Sequence, residues 1–169
     1  MKKIFMCIIS VGLLLGFNCR KSKDDVLTIV REDYNGSELR LDGFYYWETS
    51  NNEGPLFQKY ALYKNGIIHD LGATKLLEDA NFQQGKYKIE WGVFKISGTE
   101  IKFERWYPSS GGPLQAYIRA GQILNDTTFV IKESYRMYKG KKTEMGQENE
   151  IYHFKKFSPK PDSTNTYIK

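Results

Sequence analysis

From residue 39 onward, apolar and polar positions alternate with a period of two, the period of a β-strand with one buried face. The first clear strand covers 39–48 (LRLDGFYYWE), where Leu39, Leu41, Tyr45 and Trp47 share a face. A loop at 50–55 separates it from a second strand at 56–64, which runs into Asn65-Gly66 and returns as 67–71. Asn-Gly between two such runs predicts a tight hairpin, because both central residues accept positive φ. A further hairpin is predicted within 86–107: Gly92, Phe94 and Ile96 alternate with Val93 and Lys95, Ser97-Gly98-Thr99 turns, and Ile101 and Phe103 alternate with Lys102 and Glu104. After the Pro108–Pro113 loop come strands at 114–124, with Ala116, Ile118 and Ala120 on one side, and at 127–137, with Phe129 and Ile131. Residues 138–149 (YKGKKTEMGQEN) read as a charged loop, and 150–157 as the last strand, with Tyr152 and Phe154 on one face and His153 on the other.

Three stretches break this rhythm. Residues 72–85 hold a short helix in which Thr74 caps a turn carrying Leu76, Leu77 and Ala80. Residues 158–169, with Pro159 and Pro161, read as a flexible tail. At the other end, Lys2 and Lys3 precede an apolar run, 4–17, which falls short of the roughly 20 residues that span a bilayer. A charged start and a short apolar run form a secretory signal, not a folded helix. Residues 20–38 continue as a polar tether, in which 26–30 is either an edge strand or a helical turn. The chain thus divides into a signal (1–18), a cysteine and tether (19–38), a β domain (39–157) and a tail (158–169). About eight short, tightly connected strands and one short helix predict an all-β, antiparallel up-and-down barrel in preference to a sandwich.

Composition narrows the function classes. Without residues 1–18 the chain carries 23 basic and 20 acidic residues, a net charge of +3. With no concentrated basic stripe, no nucleic acid is expected as partner. Only Cys7 and Cys19 occur, and Cys7 leaves with the signal. That leaves neither a disulfide nor a cysteine-based zinc site, so the core must hold the domain alone. Twelve Tyr, ten Phe and three Trp supply it and favour strands.

Two resemblances refine this picture. Leu14-Leu15-Gly16-Phe17-Asn18-Cys19 resembles a bacterial lipobox, with Cys19 the lipidated residue. The following Lys21-Ser22-Lys23-Asp24-Asp25 resembles the export signal that sends lipoproteins of some Gram-negative bacteria to the cell surface. Together these resemblances imply a lipid-anchored outer-membrane protein that faces the cell surface, with the periplasmic face as the alternative. The β domain resembles the lipocalin-like, calycin-type barrels, through Leu41-Asp42-Gly43-Phe44-Tyr45, Leu62-Tyr63-Lys64-Asn65-Gly66, Trp91 to Gly98, Leu124 to Phe129 and Tyr152-His153-Phe154.

Small eight-stranded barrels are either filled or hold one small ligand. The expected lining is Tyr45, Trp47, Leu62, Phe94, Ile101, Phe103, Ile118, Phe129 and Phe154, which is either an aromatic pocket for an apolar or amphipathic molecule or a packed core. Trp106 and Tyr107, before the Pro108–Pro113 loop, are candidates for docking a protein or glycan, or else cover the rim. No catalytic group, metal site or cofactor is expected. His69 and Asp70 are adjacent on a strand and point to opposite faces, and no nucleophile motif or His pair at metal spacing occurs. Lys139, Lys141 and Lys142 are either solvated or contact anionic headgroups. The anchor gives the first prediction: Cys19→Ala should move the protein from the membrane fraction to the soluble fraction, and persistent membrane association would contradict the lipobox.

Overall fold

The computed structural model describes residues 23–82 and 85–169; the apolar run 4–17 and Cys19 lie outside them. Eight antiparallel strands close into a barrel in simple sequence order: β1 (Gly43–Asn51), β2 (Gly54–Leu62), β3 (Ile67–Thr74), β4 (Trp91–Ser97), β5 (Glu100–Tyr107), β6 (Gln115–Asn125), β7 (Thr128–Tyr138) and β8 (Lys141–Lys156). β8 returns to β1 over only four residue pairs, Gly43–Tyr46 against His153–Lys156. Gly43 is needed at this seam, since a Cβ there would stand 2.0 Å from the Lys155 carbonyl oxygen.

The even connections place the turns at 63–66, 98–99 and 126–127 at one end. The longer connections 75–90 and 108–114 and the turn 139–140 lie at the other end, the mouth. Inside the closed end, Tyr45, Leu62, Ile68, Phe94, Ile101, Phe103, Phe129 and Ile131 pack into a core, with Tyr60 and Tyr152 above them. Tyr34 and Leu39 seal it from below: Tyr34 meets Phe94 edge-on at 5.8 Å, and its hydroxyl accepts the Leu39 N–H at 2.8 Å. Each large apolar side chain buried this way contributes roughly 1.5–3 kcal/mol.

Four expectations are corrected. Residues 141–149 are not a loop but the first half of β8. Lys139 and Gly140, at φ 48° and 76°, form a two-residue turn of the type that matches strand twist. Lysine in place of asparagine hid that hairpin. No α-helix forms at 74–80, because Lys59, buried on the outer face, donates to the carbonyls of Leu76 and Asp79 that a helix would use internally. Among the described residues the one helical element is the 3-10 turn Lys88–Glu90.

The tether and tail are also ordered against the barrel. From residue 23 the N-terminal segment runs down the outside of β5 and β6 as a strap. The Asp25 N–H donates to the Leu114 carbonyl at 2.9 Å and Trp106 Nε1 donates to the Asp25 carbonyl at 2.7 Å. Farther down, buried Glu104 accepts the N–H groups of Thr28 and Ile29 at 2.6 and 2.7 Å. Lys95 pairs with Glu32, and the Tyr34 N–H reaches the Lys64 carbonyl at the closed end. In the tail, Lys160 Nζ donates to the carbonyls of Leu41 and Leu62, and Ile168 packs on the outer apolar cluster of Phe44, Leu71, Phe82, Trp91 and Val93.

His69 belongs to that outer cluster. It stacks on Trp91 with ring centroids 4.0 Å apart, and neither ring nitrogen has a partner among the described residues. Burial pushes its pKa down to about 4. Between pH 6.5 and 4 the unfolded chain therefore takes up a proton that the folded chain refuses, and stability present above pH 6.5 is lost as pH falls. His69→Phe should retain the stack, raise the melting temperature and flatten its fall between pH 6.5 and 4. An unchanged pH slope would exclude His69 as the source.

Candidate functional site

Toward the mouth the interior changes from apolar to polar. On β5 the inward positions run Ile101, Phe103, Arg105 and Tyr107, and Phe103 lies opposite Arg119 of β6, so Arg119 faces inward as well. Tyr117, Gln58, Asp70, Glu148 and Glu150 surround this end. Arg105 and Arg119 are each placed on a central strand, where packing below fixes their direction.

Their charges are compensated within the barrel. Arg105 Nη1 pairs with Asp70 Oδ2, and the guanidinium stacks between Tyr60 and Tyr107, 5.0 and 4.9 Å from their ring centroids. Asp70 also accepts from Gln58 Nε2 at 2.6 Å and from the Gly72 N–H at 2.8 Å. Arg119 pairs with Glu150 and lies 3.9 Å from Glu148. Burial alone would pull the pKa of Arg105 down, but Tyr107, Tyr60 and Asp70 more than offset it, so it stays cationic. Burial likewise raises the pKa of Tyr60 and Tyr152 and keeps both neutral.

Two open cavities meet here. One, about 380 Å³, is lined by Trp47, Gln58, Tyr60, Asp70, Arg105 and Tyr107 among others; the second, about 240 Å³, by Tyr107, Tyr117, Arg119, Ser134 and Glu148. Tyr107 and Arg119 belong to both walls. Volumes of roughly 300–1,000 Å³ suit small-molecule ligands. Around the two cavities Arg105 Nε, Arg119 Nε and the Tyr107 hydroxyl have no hydrogen-bond partner among the described residues. Buried polar atoms left unpaired cost roughly 1–3 kcal/mol each. Beside the cavity, above the four-pair seam, a cleft of about 420 Å³ opens between Trp47, Glu48, Asn149 and Ile151. Trp47 stands between cavity and cleft, lining both.

The expected ligand residues divide. Tyr45, Leu62, Phe94, Phe103 and Phe129 are at most 2% exposed and form the packed core of the closed end. Phe154 packs against that core under Arg40, whose guanidinium lies 4.6 Å above its ring. Trp47 alone of these lines a cavity. Ile118, expected inside, is on the outer face with Ala120, covered by Ile29 of the strap. Trp106 is buried against the strap, while Tyr107 turns into the cavity. Sequence reading missed Arg105, Arg119, Asp70 and Glu150. The signal was their place on the inward register of Phe103 and Tyr152, overridden by the assumption that inward means apolar.

Among the described residues no group of His, Cys, Asp and Glu has metal-binding geometry, and no helix is long and apolar enough to cross a membrane. Neither histidine lines the two mouth cavities. The chain matches no protein-family model, no curated protein and no solved structure at a significant level.

The Arg105–Asp70 pair gives a stability prediction. Asp70→Asn removes the charge partner of a buried guanidinium and should cost on the order of 3 kcal/mol, measured from urea midpoints. The double variant Asp70→Asn/Arg105→Met should regain most of that loss; if it does not, the pair is not the reason.

Proposed function

We propose that this chain is a lipid-anchored cell-envelope protein, held through Cys19, whose lipocalin-like barrel binds one small amphipathic ligand without chemically changing it. The observation that carries this reading is the double cavity at the mouth, with its aromatic and guanidinium wall. The two arginines face three carboxylates, Asp70, Glu148 and Glu150. This balance favours a headgroup that both donates and accepts over a bare charge, and Trp47, Tyr60 and Tyr107 offer faces for an apolar portion. A wholly apolar ligand would leave the unpaired atoms of the wall as they are.

The non-catalytic part of the reading is supported by the arrangement of the titratable groups. Asp70 is held by Arg105 and Gln58 inside the barrel, while His69 is stacked on Trp91 outside it. The loop-docking alternative is weakened by Trp106, which is 5% exposed beneath the strap. An outer-membrane address is proposed with the anchor.

Native mass spectrometry of protein purified from its own membrane should show a bound small molecule. Titration with dodecanoate, dodecylphosphocholine and dodecyltrimethylammonium, below their micelle concentrations, should change tryptophan emission saturably. Most of that change should vanish in Trp47→Phe, and the zwitterion should bind most tightly. An empty barrel together with no Trp47-dependent response to any of the three would overturn the reading.

A further inference from the structure

The strap places the start of the described chain at the mouth of the barrel, not at its closed end. Asp24 and Asp25 are fastened there from several directions. Asp24 accepts the Leu114 N–H at 2.9 Å and pairs with Lys88 at 2.8 Å. The Asp25 carboxylate accepts the Ala116 N–H and both Nε and Nη2 of Arg136, at 2.9 and 3.0 Å. Asp24 follows Cys19 by only five positions, a reach of at most about 18 Å when fully extended.

Two stretches of the rim at this end, the β7–β8 turn and the 75–90 connection, carry side chains suited to lipid headgroups. The exposed rim carboxylates Glu53, Glu78 and Glu144 are each paired with a basic side chain. The β7–β8 hairpin extends its turn at the mouth, carrying Tyr138, 53% exposed, and Met145, 61% exposed. Lys139 lies in the turn and Lys141 follows it, with no carboxylate in ion-pair contact among the described residues. Tyr87 and Leu76, both 67% exposed, stand on the 75–90 connection at the same end. Aromatic rings with polar tips and lysines with apolar stems suit the boundary between headgroups and water. At the closed end, Leu124 is the one comparably exposed large apolar side chain among residues 98–127.

We infer that the mouth rim of the barrel, centred on Tyr138, Lys139, Lys141 and Tyr87, docks on the anionic leaflet that carries the anchor, so that the cavity opens toward the bilayer. This rests on the anchored reading given above. The strap keeps the mouth within reach of the leaflet, Lys139 and Lys141 provide the attraction, and the exposed rings settle among the headgroups. A ligand drawn from the bilayer then enters the cavity without crossing bulk water.

The test uses the full-length lipidated protein, reconstituted into vesicles of phosphatidylethanolamine and phosphatidylglycerol. Tyr138→Cys, Met145→Cys and, at the closed end, Leu124→Cys each receive a fluorophore, with Cys19 blocked by its own lipid. Fluorophores at 138 and 145 should be strongly quenched by headgroup-labelled lipid, and the one at 124 should not. A basic side chain at an anionic leaflet strengthens binding by roughly fivefold, so Lys139→Gln/Lys141→Gln should lower the docked-to-undocked ratio about 25-fold, and added salt should act in the same direction. Equal quenching at all three positions, or stronger quenching at 124, overturns the docking while ligand binding, read separately from Trp47 emission, stands. Failure of the wild-type protein to float with vesicles overturns both the docking and the anchor.

Discussion

Two guanidinium groups inside a barrel this narrow cannot be left without counter-charges. Arg105 is almost fully buried and Arg119 largely so, and each holds a carboxylate from another strand: Asp70 on β3 and Glu150 on β8. Bringing these four side chains together requires the sheet to close, because β3, β5, β6 and β8 come from opposite parts of it. Such pairs add little net stability compared with apolar packing, but breaking one is costly. Their effect is to fix a polar interior at one end, above a solid aromatic interior at the other. The cavities open at that polar end, above Tyr45, Phe103, Phe129 and Tyr152, which fill the interior below.

A polar interior has a consequence outside. Successive residues of a strand point to opposite faces, so placing Tyr117 and Arg119 inside sends Ala116, Ile118 and Ala120 out. The same alternation puts Trp91 and Val93 on the exterior of β4. Apolar side chains on an outer face need a cover, and the strap and tail provide it. Leu27, Ile29, Phe157 and Ile168 lie on these patches; Glu104 binds the backbone of the strap with charged hydrogen bonds, Lys59 binds that of the 75–90 connection, and Lys160 of the tail donates to the carbonyls of Leu41 and Leu62. The terminal segments are thus part of the domain rather than appendages to it.

The same alternation explains how much could be read from the chain. Strand existence, order and closure were legible because Tyr45, Phe94, Phe103 and Phe129 mark the inward face wherever the interior is apolar. The register of β6 was legible too, but its faces were exchanged: an apolar row, Ala116-Ile118-Ala120, reads as inward unless something else covers it. The strap that does so is mostly polar, with Thr28, Arg31, Glu32 and Asp33, and its one apolar run, 26–30, is too short to show which surface it covers. The first half of β8 was hidden for a related reason. Lys142, Glu144 and Glu148 lie where the hairpin rises past the barrel body and has little apolar surface to bury.

One chain of contacts joins the strap to the cavity. Asp25 accepts from Arg136, Arg136 also pairs with Glu144, and Glu144 accepts the Tyr117 hydroxyl, which stands in the cavity wall. Burial opposes the ionised form of Asp25, yet Arg136 and the Ala116 N–H hold its pKa below the usual carboxylate range, so the link is ionic at neutral pH. Tyr117 in turn meets Tyr107 edge-on at 5.7 Å. The wall of the cavity is therefore ordered by the same carboxylate that fixes where the N-terminal segment leaves the barrel. A strap detached at Asp25 would release Arg136 on one side and leave Glu144 as the carboxylate that Arg136 and Tyr117 still share. Asp24 and Asp25 thus have a structural task in the folded domain. The course of the strap and the shape of the mouth converge on the Asp25 side chain.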